Sequence, residues 1–260
     1  MLEQIGMFGE VKKVVSKSCN GVIYEAGGRA REYRELACNL YTGCDHGCVY
    51  CYAPNVLKRK RNEFYGSSQP RTNIIAKVRN DAAYYAERGE ERQVLLCFAC
   101  DPYQAADVQH GITRQAIRAC HANGVNICTL TKGGSRALRD LDLFTSTDSF
   151  ASTLTTLDDA ESLVWEPGAA LPGDRIATLR KFHEAGIPTW VSLEPVLDPA
   201  TVYEIIRQTH GFVDEFKVGV LNYHHRTREI DWRKFAQNVQ ALLEQVGCKY
   251  YLKHDLRAYL

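Results

Sequence analysis

Residues 36–54 read LACNLYTGCDHGCVYCYAP, an apolar run that is followed directly by three closely spaced cysteines. The run at residues 36–41 predicts a β-strand covered on both faces, because it is short and shows little polar alternation. In folds that alternate strands with helices, the loops after the strands gather at one edge of the sheet and carry the binding site. The stretch therefore predicts the first strand of such a fold and, in the loop after it, the site.

Five more apolar runs follow, and amphipathic helical patterns separate them. In the first helical pattern, an apolar face begins at Ile74 and Gly89 ends it. Asp174 and Asp198 are expected to be N-caps of later helices. Parallel strands joined by right-handed helical crossovers predict the α/β class, as a partial (βα)6 barrel. The predicted strands are residues 36–41, 94–99, 125–131, 149–154, 189–193 and 215–221.

The chain of 260 residues is long enough for one barrel domain and needs no second core. We expect three parts. Residues 1–35 are an N-terminal extension to which no element is assigned, residues 36–221 form the barrel, and residues 222–260 supply a C-terminal helix and tail that pack on it.

Charge is balanced overall, with 32 Lys and Arg against 31 Asp and Glu, which excludes a uniformly basic nucleic-acid binder. Locally it is not balanced. Residues 56–80 hold seven basic residues and one Glu, a net +6, whereas residues 138–174 hold one Arg and eight acidic residues, a net −7. The basic run predicts contacts with nucleic-acid phosphates, and a solvated helix face is the alternative.

The end of the chain mixes aromatic and basic residues, a composition suited to stacking on bases. An ordinary last strand is the alternative. The residues concerned are Tyr223, His224, His225, Arg226, Arg228, Tyr250, Tyr251, Lys253 and Arg257.

The start of the chain has no apolar run long enough for a signal peptide, and no later segment approaches the roughly 20 apolar residues of a membrane helix. We therefore expect a cytoplasmic protein without a membrane partner. In that compartment ten cysteines indicate buried thiols, metal ligands or redox chemistry more than disulfides.

The three cysteines of the loop, Cys44, Cys48 and Cys51, have spacings that let one tight loop direct all three sulfurs to one centre. Gly47 adds the backbone freedom that such a loop needs. A [4Fe–4S] cluster held by three thiolates keeps one iron open to another ligand, whereas a structural zinc site closes with four ligands. A zinc knuckle completed by His46 or by another cysteine remains the alternative.

The C-x3-C-x2-C pattern with Tyr50 before its last cysteine resembles the radical S-adenosylmethionine (SAM) superfamily. The resemblance implies a partial barrel, a [4Fe–4S] cluster on Cys44, Cys48 and Cys51, and SAM bound to the open iron with Tyr50 near its adenine. It also implies an electron donor such as flavodoxin or ferredoxin. Reductive cleavage of SAM then yields a 5′-deoxyadenosyl radical that abstracts hydrogen from the substrate.

Four segments in order are similar to the spore photoproduct lyase-like branch of that superfamily. The resemblance implies repair of a thymine lesion that ultraviolet light makes in DNA, with Tyr50 and Tyr52 returning hydrogen to the substrate radical. Modification of a non-DNA substrate, and a zinc-containing nucleic-acid-binding module without catalysis, remain alternatives. The segments are residues 43–53, residues 101–104, residues 155–158 with Glu166-Pro167, and Arg175 with residues 185–188.

Three residues near strand ends are candidates for binding SAM. Asp101 stands where it could accept a hydrogen bond from the SAM ammonium group, and a turn aspartate before Pro102 is the alternative. By the resemblance, Lys132 and Ser152 match the Lys and Ser that hold the SAM carboxylate.

Two further polar residues end strands, Glu194 and Asn222. Each is expected at the barrel mouth, bound to the ribose hydroxyls of SAM or to the substrate; Glu194 pairing with Lys132 or Arg175 is the alternative.

Two more cysteines, Cys97 and Cys100, lie near the end of the second predicted strand. The lyase returns hydrogen from a cysteine in this region, although neither residue matches it in register. Strand alternation puts Cys97 on the side of Asp101 and Cys100 on the other side, unless the strand breaks before the turn. Core packing is the alternative for both, because free cysteine is usually buried.

Overall fold

One continuous sheet of eight strands organises the protein, as seen in a computed structural model that describes residues 19–222 and 225–260. Neighbouring strands follow the order of the chain, and β2 to β8 are parallel. Only β1 runs antiparallel, along the outer side of β2. Because β1 and β8 are its two edges, the sheet forms an open barrel. The strands are β1 Ile23–Glu25, β2 Leu36–Cys38, β3 Val94–Leu96, β4 Ile127–Thr131, β5 Ser149–Thr153, β6 Thr189–Leu193, β7 Glu215–Val218 and β8 Lys249–Leu252.

Helices connect consecutive parallel strands and cover the outside of the sheet. Three 3₁₀ segments, Gly28–Glu32, Gly134–Leu143 and His225–Glu229, complete the connections. The helices are α1 Ala53–Val56, α2 Arg61–Gly66, α3 Ile74–Ala86, α4 Ala105–His110, α5 Ile112–His121, α6 Asp159–Trp165, α7 Pro172–Glu184, α8 Pro199–Thr209, α9 Trp232–Val246 and α10 His254–Arg257. Within the described residues, no helix is long and apolar enough to cross a membrane.

All six predicted strands are present, and the predicted partial barrel is confirmed, but five strands are shorter than expected. β2 stops at Cys38 because the next residues pair elsewhere: the Leu40 carbonyl accepts from the Arg71 amide (2.9 Å), and Tyr41 bridges to Pro70. β3 stops at Leu96 because Cys97 adopts a left-handed conformation, with φ of +67°.

The sheet has two strands beyond the six predicted, one in each flanking part of the chain; β1 was not predicted, and β8 is the ordinary last strand given as the alternative for the tail. β1 lies in the N-terminal extension, and the part of that extension at residues 1–18 lies outside the described residues. β8 adds an eighth strand to the sheet beside β7, so the C-terminal part extends the barrel and also packs on it through α9. Both strands are short and partly exposed, which removes the apolar signal that marked the others.

The two predicted N-caps have different outcomes. Asp198 caps α8 as expected, its carboxylate accepting from the Thr201 amide at 2.8 Å. The prediction for Asp174 is wrong, because α7 begins two residues earlier at Pro172, a residue favoured in the first turn. Asp174 lies inside that turn and accepts from the Ser135 amide at 2.9 Å.

The main core lies between the sheet and the helices, where for example Phe150 of β5 stacks on Phe182 of α7 with ring centroids 3.7 Å apart. A smaller cluster fills the inside of the barrel around Trp190. Below it, the Lys217 ammonium group donates to the carbonyls of Glu32 and Tyr33, both at 2.9 Å. These contacts help to fill the amino end of the barrel, and a larger cavity opens at the carboxyl end of the strands.

Asp81 anchors β1 to the rest of the molecule. This fully buried carboxylate on α3 accepts from the backbone amides of Asn20 (2.5 Å), Val22 (2.8 Å) and Ile23 (3.1 Å). Charge-assisted hydrogen bonds of this kind are strong, and buried amides that lose their acceptor are costly.

We therefore expect Asp81→Ala to lower the free energy of unfolding by about 3 kcal/mol, measured by urea denaturation. The control is Glu184→Gln, an exposed change at the end of α7 that should alter stability by less than about 0.5 kcal/mol. Equal stability of the two variants would contradict this role of Asp81.

Candidate active site

A cavity of about 530 Å³ opens at the carboxyl end of the strands. This volume is within the range of roughly 300–1,000 Å³ that small-molecule sites occupy. Nearly all of the predicted site residues line it. They are Cys44, Cys48, Tyr50, Cys51, Tyr52, Cys97, Cys100, Asp101, Lys132, Glu194 and Asn222.

The loop with the three cysteines is fixed by close backbone packing. A side chain at Gly43 would collide with the carbonyl of Phe64, and one at Gly168 would collide with the carbonyl of Asp45. The Cys44 amide donates to that same Phe64 carbonyl at 3.2 Å. Close backbone packing and this hydrogen bond therefore help to fix the shape of the loop.

Side chains also donate hydrogen bonds to backbone carbonyl groups of this loop. The Tyr65 hydroxyl donates to the Cys48 carbonyl, and the Arg61 guanidinium donates to the carbonyls of Val49 and Cys51, all at 3.0 Å. With its backbone polar groups engaged in this way, the loop presents the three thiols to the cavity as its available ligands.

Burial raises the pKa of the Cys48 thiol to about 12, although the nearby Lys132 ammonium group opposes the shift. Burial also raises the pKa of Cys44 well above its ordinary value. Without a metal both residues are thus neutral thiols at pH 7, and a metal that binds thiolates must displace their protons.

Tyr50 is held by a buried carboxylate, Glu166, to which its hydroxyl donates. Glu166 forms an ion pair with Arg175, at 2.5 Å between Oε2 and Nη1, and accepts from the Thr155 hydroxyl at 3.1 Å. Burial opposes ionisation of Glu166, but the charges of Arg175 and Lys132 hold its pKa below the ordinary range. The Lys132 ammonium group lies 5.7 Å from the centre of the Tyr50 ring.

Asp101 uses both carboxylate oxygens within the protein. One oxygen accepts from the Tyr103 amide (2.8 Å), which is the turn contact expected of the alternative, and from the Thr131 hydroxyl (2.6 Å). The other accepts from the Lys132 amide (2.8 Å) and lies 3.4 Å from Nδ1 of His46. Asp101 therefore ties the end of β4 to the cysteine loop while it lines the cavity.

Glu194 does not pair with Lys132 or Arg175, the partners that its alternative reading gave. Its carboxylate accepts from the Lys253 ammonium group and the Tyr33 hydroxyl on the far wall of the cavity. These partners come from the two flanking parts of the chain, whose positions the sequence did not predict.

Asn222 lines the same wall, as expected. Its amide donates to a carboxylate oxygen of Asp255 at 3.4 Å, and that carboxylate pairs with Arg29 at 2.5 Å.

Ser152 does not reach the cavity. Its side chain is buried on the other face of β5, where its hydroxyl donates to the Thr131 carbonyl at 3.0 Å. The adjacent Thr153 lines the cavity instead, because successive residues of a strand point to opposite faces.

Cys97 and Cys100 both line the cavity, which is the outcome expected if the strand breaks before the turn. Alternation fails because the strand ends at Leu96, which is the exception that the prediction itself allowed. Cys97 is buried and Cys100 half-buried.

A model of the radical SAM superfamily matches residues 38–213, more than half of the chain. The chain belongs to the radical SAM superfamily. Two curated relatives are themselves uncharacterized. A protein of Acidianus two-tailed virus is 27% identical and aligns over 77% of this chain and 70% of its own. A protein of Mycobacterium tuberculosis is 30% identical over 172 aligned residues. These residues make up 63% of this chain and 50% of the relative.

Solved structures of radical SAM enzymes share the fold. A spore photoproduct lyase with bound SAM and dinucleoside spore photoproduct superposes with a TM-score of 0.69 at 15% identity, over 97% of this chain and 88% of that one. SuiB of Streptococcus suis bound to SAM superposes with a TM-score of 0.63 at 14% identity, over 83% of this chain and 49% of that one. At such identities the similarity concerns the fold.

Enzymes of this superfamily use a [4Fe–4S] cluster and SAM, and the residues of the cavity fit that pair. Three thiols supply the soft ligands that iron–sulfur clusters take. Among residues 19–222 and 225–260, no three His, Cys, Asp or Glu side chains are arranged to hold a single metal ion. In a [4Fe–4S] cluster each thiolate binds its own iron, whereas in a zinc knuckle all of the ligands bind one ion.

Sequence reasoning missed the residues that hold these groups in place: Glu166, Arg175, Tyr33 and Lys253. The first two stood in segments that matched the lyase-like branch, which was the only signal available. Their pairing depends on tertiary contacts, between α6 and α7 for Glu166 with Arg175 and between the two flanking parts of the chain for Tyr33 and Lys253.

The contacts of Glu166 lead to a prediction. Glu166→Gln keeps the shape of the side chain but leaves the Arg175 guanidinium, 1% exposed, without its counter-charge. We expect a loss of about 3 kcal/mol in the free energy of unfolding at pH 7 and weaker binding of SAM, because Tyr50 loses its charged acceptor. Urea denaturation and isothermal titration calorimetry measure the two effects.

The pH dependence supplies the control. The pKa of Glu166 is lower in the folded than in the unfolded protein, so its stabilising effect is complete above the ordinary value near 4.5 and is lost as pH falls through the lowered value. The free energies of unfolding of wild type and variant should therefore become equal in acid. A double variant with Arg175→Met, which removes both charges, should recover part of the loss; no recovery would speak against the ion pair.

Proposed function

We propose that this radical SAM enzyme acts as a spore photoproduct lyase-like repair enzyme, which returns hydrogen to a thymine lesion made in DNA by ultraviolet light. The observation that carries the proposal is the shared cavity, in which the three-cysteine loop, Tyr50, Tyr52 and two further thiols all face one space.

The cluster ligands in this proposal are Cys44, Cys48 and Cys51. When bound, the cluster and SAM supply abstraction of a hydrogen atom by a radical derived from the adenosyl group. An electron donor such as flavodoxin or ferredoxin supplies the reducing electron. The chain contributes a loop whose backbone is already held, so that binding need not order it.

The residues proposed to bind SAM surround Lys132. Its ammonium group is available for the SAM carboxylate, with Thr153 beside it in place of Ser152. Tyr50, fixed by Glu166, offers a ring for the adenine. Asp101 shapes this wall mainly by positioning Lys132, because both of its oxygens already accept several hydrogen bonds.

Hydrogen return is assigned to four side chains that face the cavity: Tyr50, Tyr52, Cys97 and Cys100. Burial raises the pKa of both tyrosines and of Cys97 well above the ordinary values, so each keeps its hydrogen at neutral pH. Each is therefore able to give a hydrogen atom to a substrate radical.

The basic segment supports a nucleic-acid substrate. Lys58, Arg59, Lys60 and Arg61 follow the cluster loop directly, and Lys58 and Lys60 are exposed. Of these, Arg59 and Arg61 also donate to loop carbonyls. The two lysines, of which Lys60 pairs with the exposed Glu63 at 3.8 Å, are thus the side chains proposed to bind phosphate near the cluster loop.

The C-terminal tail supports nucleic-acid binding less than its composition predicted. Lys253 is buried against Glu194, and Tyr251 donates to Glu32 at 3.2 Å, as members of an ordinary last strand and the turn after it. Tyr223 and His224 lie outside the described residues, as do the side chains of His225 and Arg226.

The cluster assignment is tested by single Cys→Ala changes at residues 44, 48 and 51. Each variant, reconstituted without oxygen, should lose most of its iron and acid-labile sulfide and at least about 100-fold of its 5′-deoxyadenosine production. Cys248→Ser is the control, because this half-buried thiol lies just before β8, contacts the backbone carbonyls of His210 and Val213 before β7, and does not line the cavity; this variant should retain both properties. Full iron content in any of the three variants would remove that residue from the ligand set.

The substrate assignment is tested with ultraviolet-irradiated, thymine-containing oligonucleotides and dithionite as reductant. We expect conversion of the lesion to intact thymine. Cleavage of SAM with bound DNA left unchanged would reject DNA repair and favour a non-DNA substrate, such as the precursor peptide that SuiB binds in a solved structure.

A charge reversal refines this test. Lys58→Glu with Lys60→Glu should weaken DNA binding and reduce the slope of log K against log salt by about 1.5, because two phosphate contacts are lost. Fluorescence anisotropy measures both. Arg233→Glu with Lys234→Glu, an equal reversal on the exposed face of α9, is the control and should leave the slope unchanged.

A further inference from the structure

Cys97-Phe98-Ala99-Cys100 forms a C-x-x-C pair at the carboxyl end of β3. In α/β proteins this spacing is typical of dithiols that open and close as disulfides, because one short turn brings the two sulfurs together. The proposed function uses each thiol only as a hydrogen source, and the pairing of the two has no role in it.

The backbone at this point forms the turn that such a pair needs. Cys97 has a φ of +67°, a conformation rarely adopted by a residue with a side chain, and it ends the strand. The Asn39 side chain then accepts from the Ala99 amide at 2.7 Å. As a result both Cys97 and Cys100 line the cavity, and the Cys100 sulfur lies 4.0 Å from the Asn39 side-chain oxygen.

The sulfurs of Cys97 and Cys100 differ in how accessible they are from the cavity. Cys97 is only 3% exposed, whereas Cys100 is half-buried and faces the open part of the cavity. Phe98 between them packs against Tyr33 and Tyr52, with ring centroids 5.5 Å and 5.8 Å away. The turn is thus fixed, and a reagent that enters the cavity meets Cys100 first.

We propose that Cys97 and Cys100 form a second redox site in this cavity, a dithiol that exchanges two electrons and two protons with a small-molecule disulfide such as oxidised glutathione. The Cys100 sulfur attacks the glutathione disulfide, whose S–S bond breaks and releases one glutathione. The Cys97 sulfur then attacks the mixed disulfide and releases the second. The two thiol protons leave with the two reduced glutathiones, and a Cys97–Cys100 disulfide remains.

The state of this pair controls what the cavity offers to a radical. The dithiol presents two S–H groups, and the disulfide presents none. The inference rests on the proposed function only in this consequence, because the exchange itself requires neither SAM nor a nucleic acid.

The test equilibrates the cluster-loaded protein, without oxygen, with mixtures of reduced and oxidised glutathione. Samples are quenched in acid and alkylated, and the peptide with both cysteines is weighed. We expect a peptide that carries no alkyl group and is lighter by two hydrogen atoms than the unalkylated dithiol peptide. Its fraction should depend on the square of the reduced glutathione concentration, as a two-electron exchange requires. Two free thiols even in excess oxidised glutathione would overturn the proposal. A disulfide between Cys100 and Cys38, the last residue of the neighbouring strand β2, would overturn it as well.

Two variants sharpen the result. Cys97→Ser should stop at a mixed disulfide, so that the Cys100 peptide gains the mass of one glutathione. Cys248→Ser, in which another half-buried thiol is removed, should oxidise like wild type. If wild type itself stops at the mixed disulfide, Cys97 does not resolve it and the pair is not a redox site.

Cleavage of SAM is measured on the same samples, which separates this inference from the proposed function. A pair that oxidises reversibly in a protein that forms no 5′-deoxyadenosine supports the redox site and rejects the proposed function. A protein that cleaves SAM but whose two thiols never join rejects the redox site alone.

Discussion

The buried ion pair between Glu166 and Arg175 connects the cysteine loop to the sheet. Arg175 donates to the Thr153 carbonyl at the end of β5 (3.1 Å) and to the Ala170 carbonyl (2.6 Å), while Glu166 holds the Tyr50 hydroxyl. Burying two charges is expensive, and the cost is offset only when the remaining donors and acceptors are satisfied. Here they bind the very groups whose positions define the cavity, so the ion pair fixes the site rather than the bulk of the fold.

A second buried carboxylate acts from the opposite side. Asp101, at the end of the β3 turn, holds the first residues after β4 and faces His46 of the cysteine loop. Burial of His46 lowers its pKa to about 4, although the Asp101 charge opposes the shift, so the imidazole is neutral at pH 7. The loop is therefore held between two carboxylates, Asp101 after β3 and Glu166 after α6. This arrangement explains why its thiols share one cavity although β2, which precedes them, has only three residues.

The sequence predicted what depends on local pattern. Apolar runs gave the six central strands, and the spacing of Cys44, Cys48 and Cys51 gave the family. It did not predict features that depend on tertiary contacts or on single backbone angles. Ser152 was placed one residue out of phase with the cavity, and the left-handed turn at Cys97 has no sequence signal such as glycine. The partners of Glu194 lie in the N-terminal extension, to which the sequence assigned no element, and in the C-terminal tail, whose contacts it did not predict.

The distribution of charge along the sequence also does not show which charged residues are buried. Residues 138–174 carry a net −7, but Asp140, Asp148 and Glu166 are fully or almost fully buried and are paired inside the protein. Arg114 binds Asp140 at 3.1 Å, and Asp148 accepts from the Ile127 amide at 2.8 Å. Much of the acidic charge thus stabilises the fold and contributes little to the surface. The basic run after the cysteine loop has only one acidic residue of its own and is largely exposed, so the surface beside the cavity is more positive than a net charge of +1 implies.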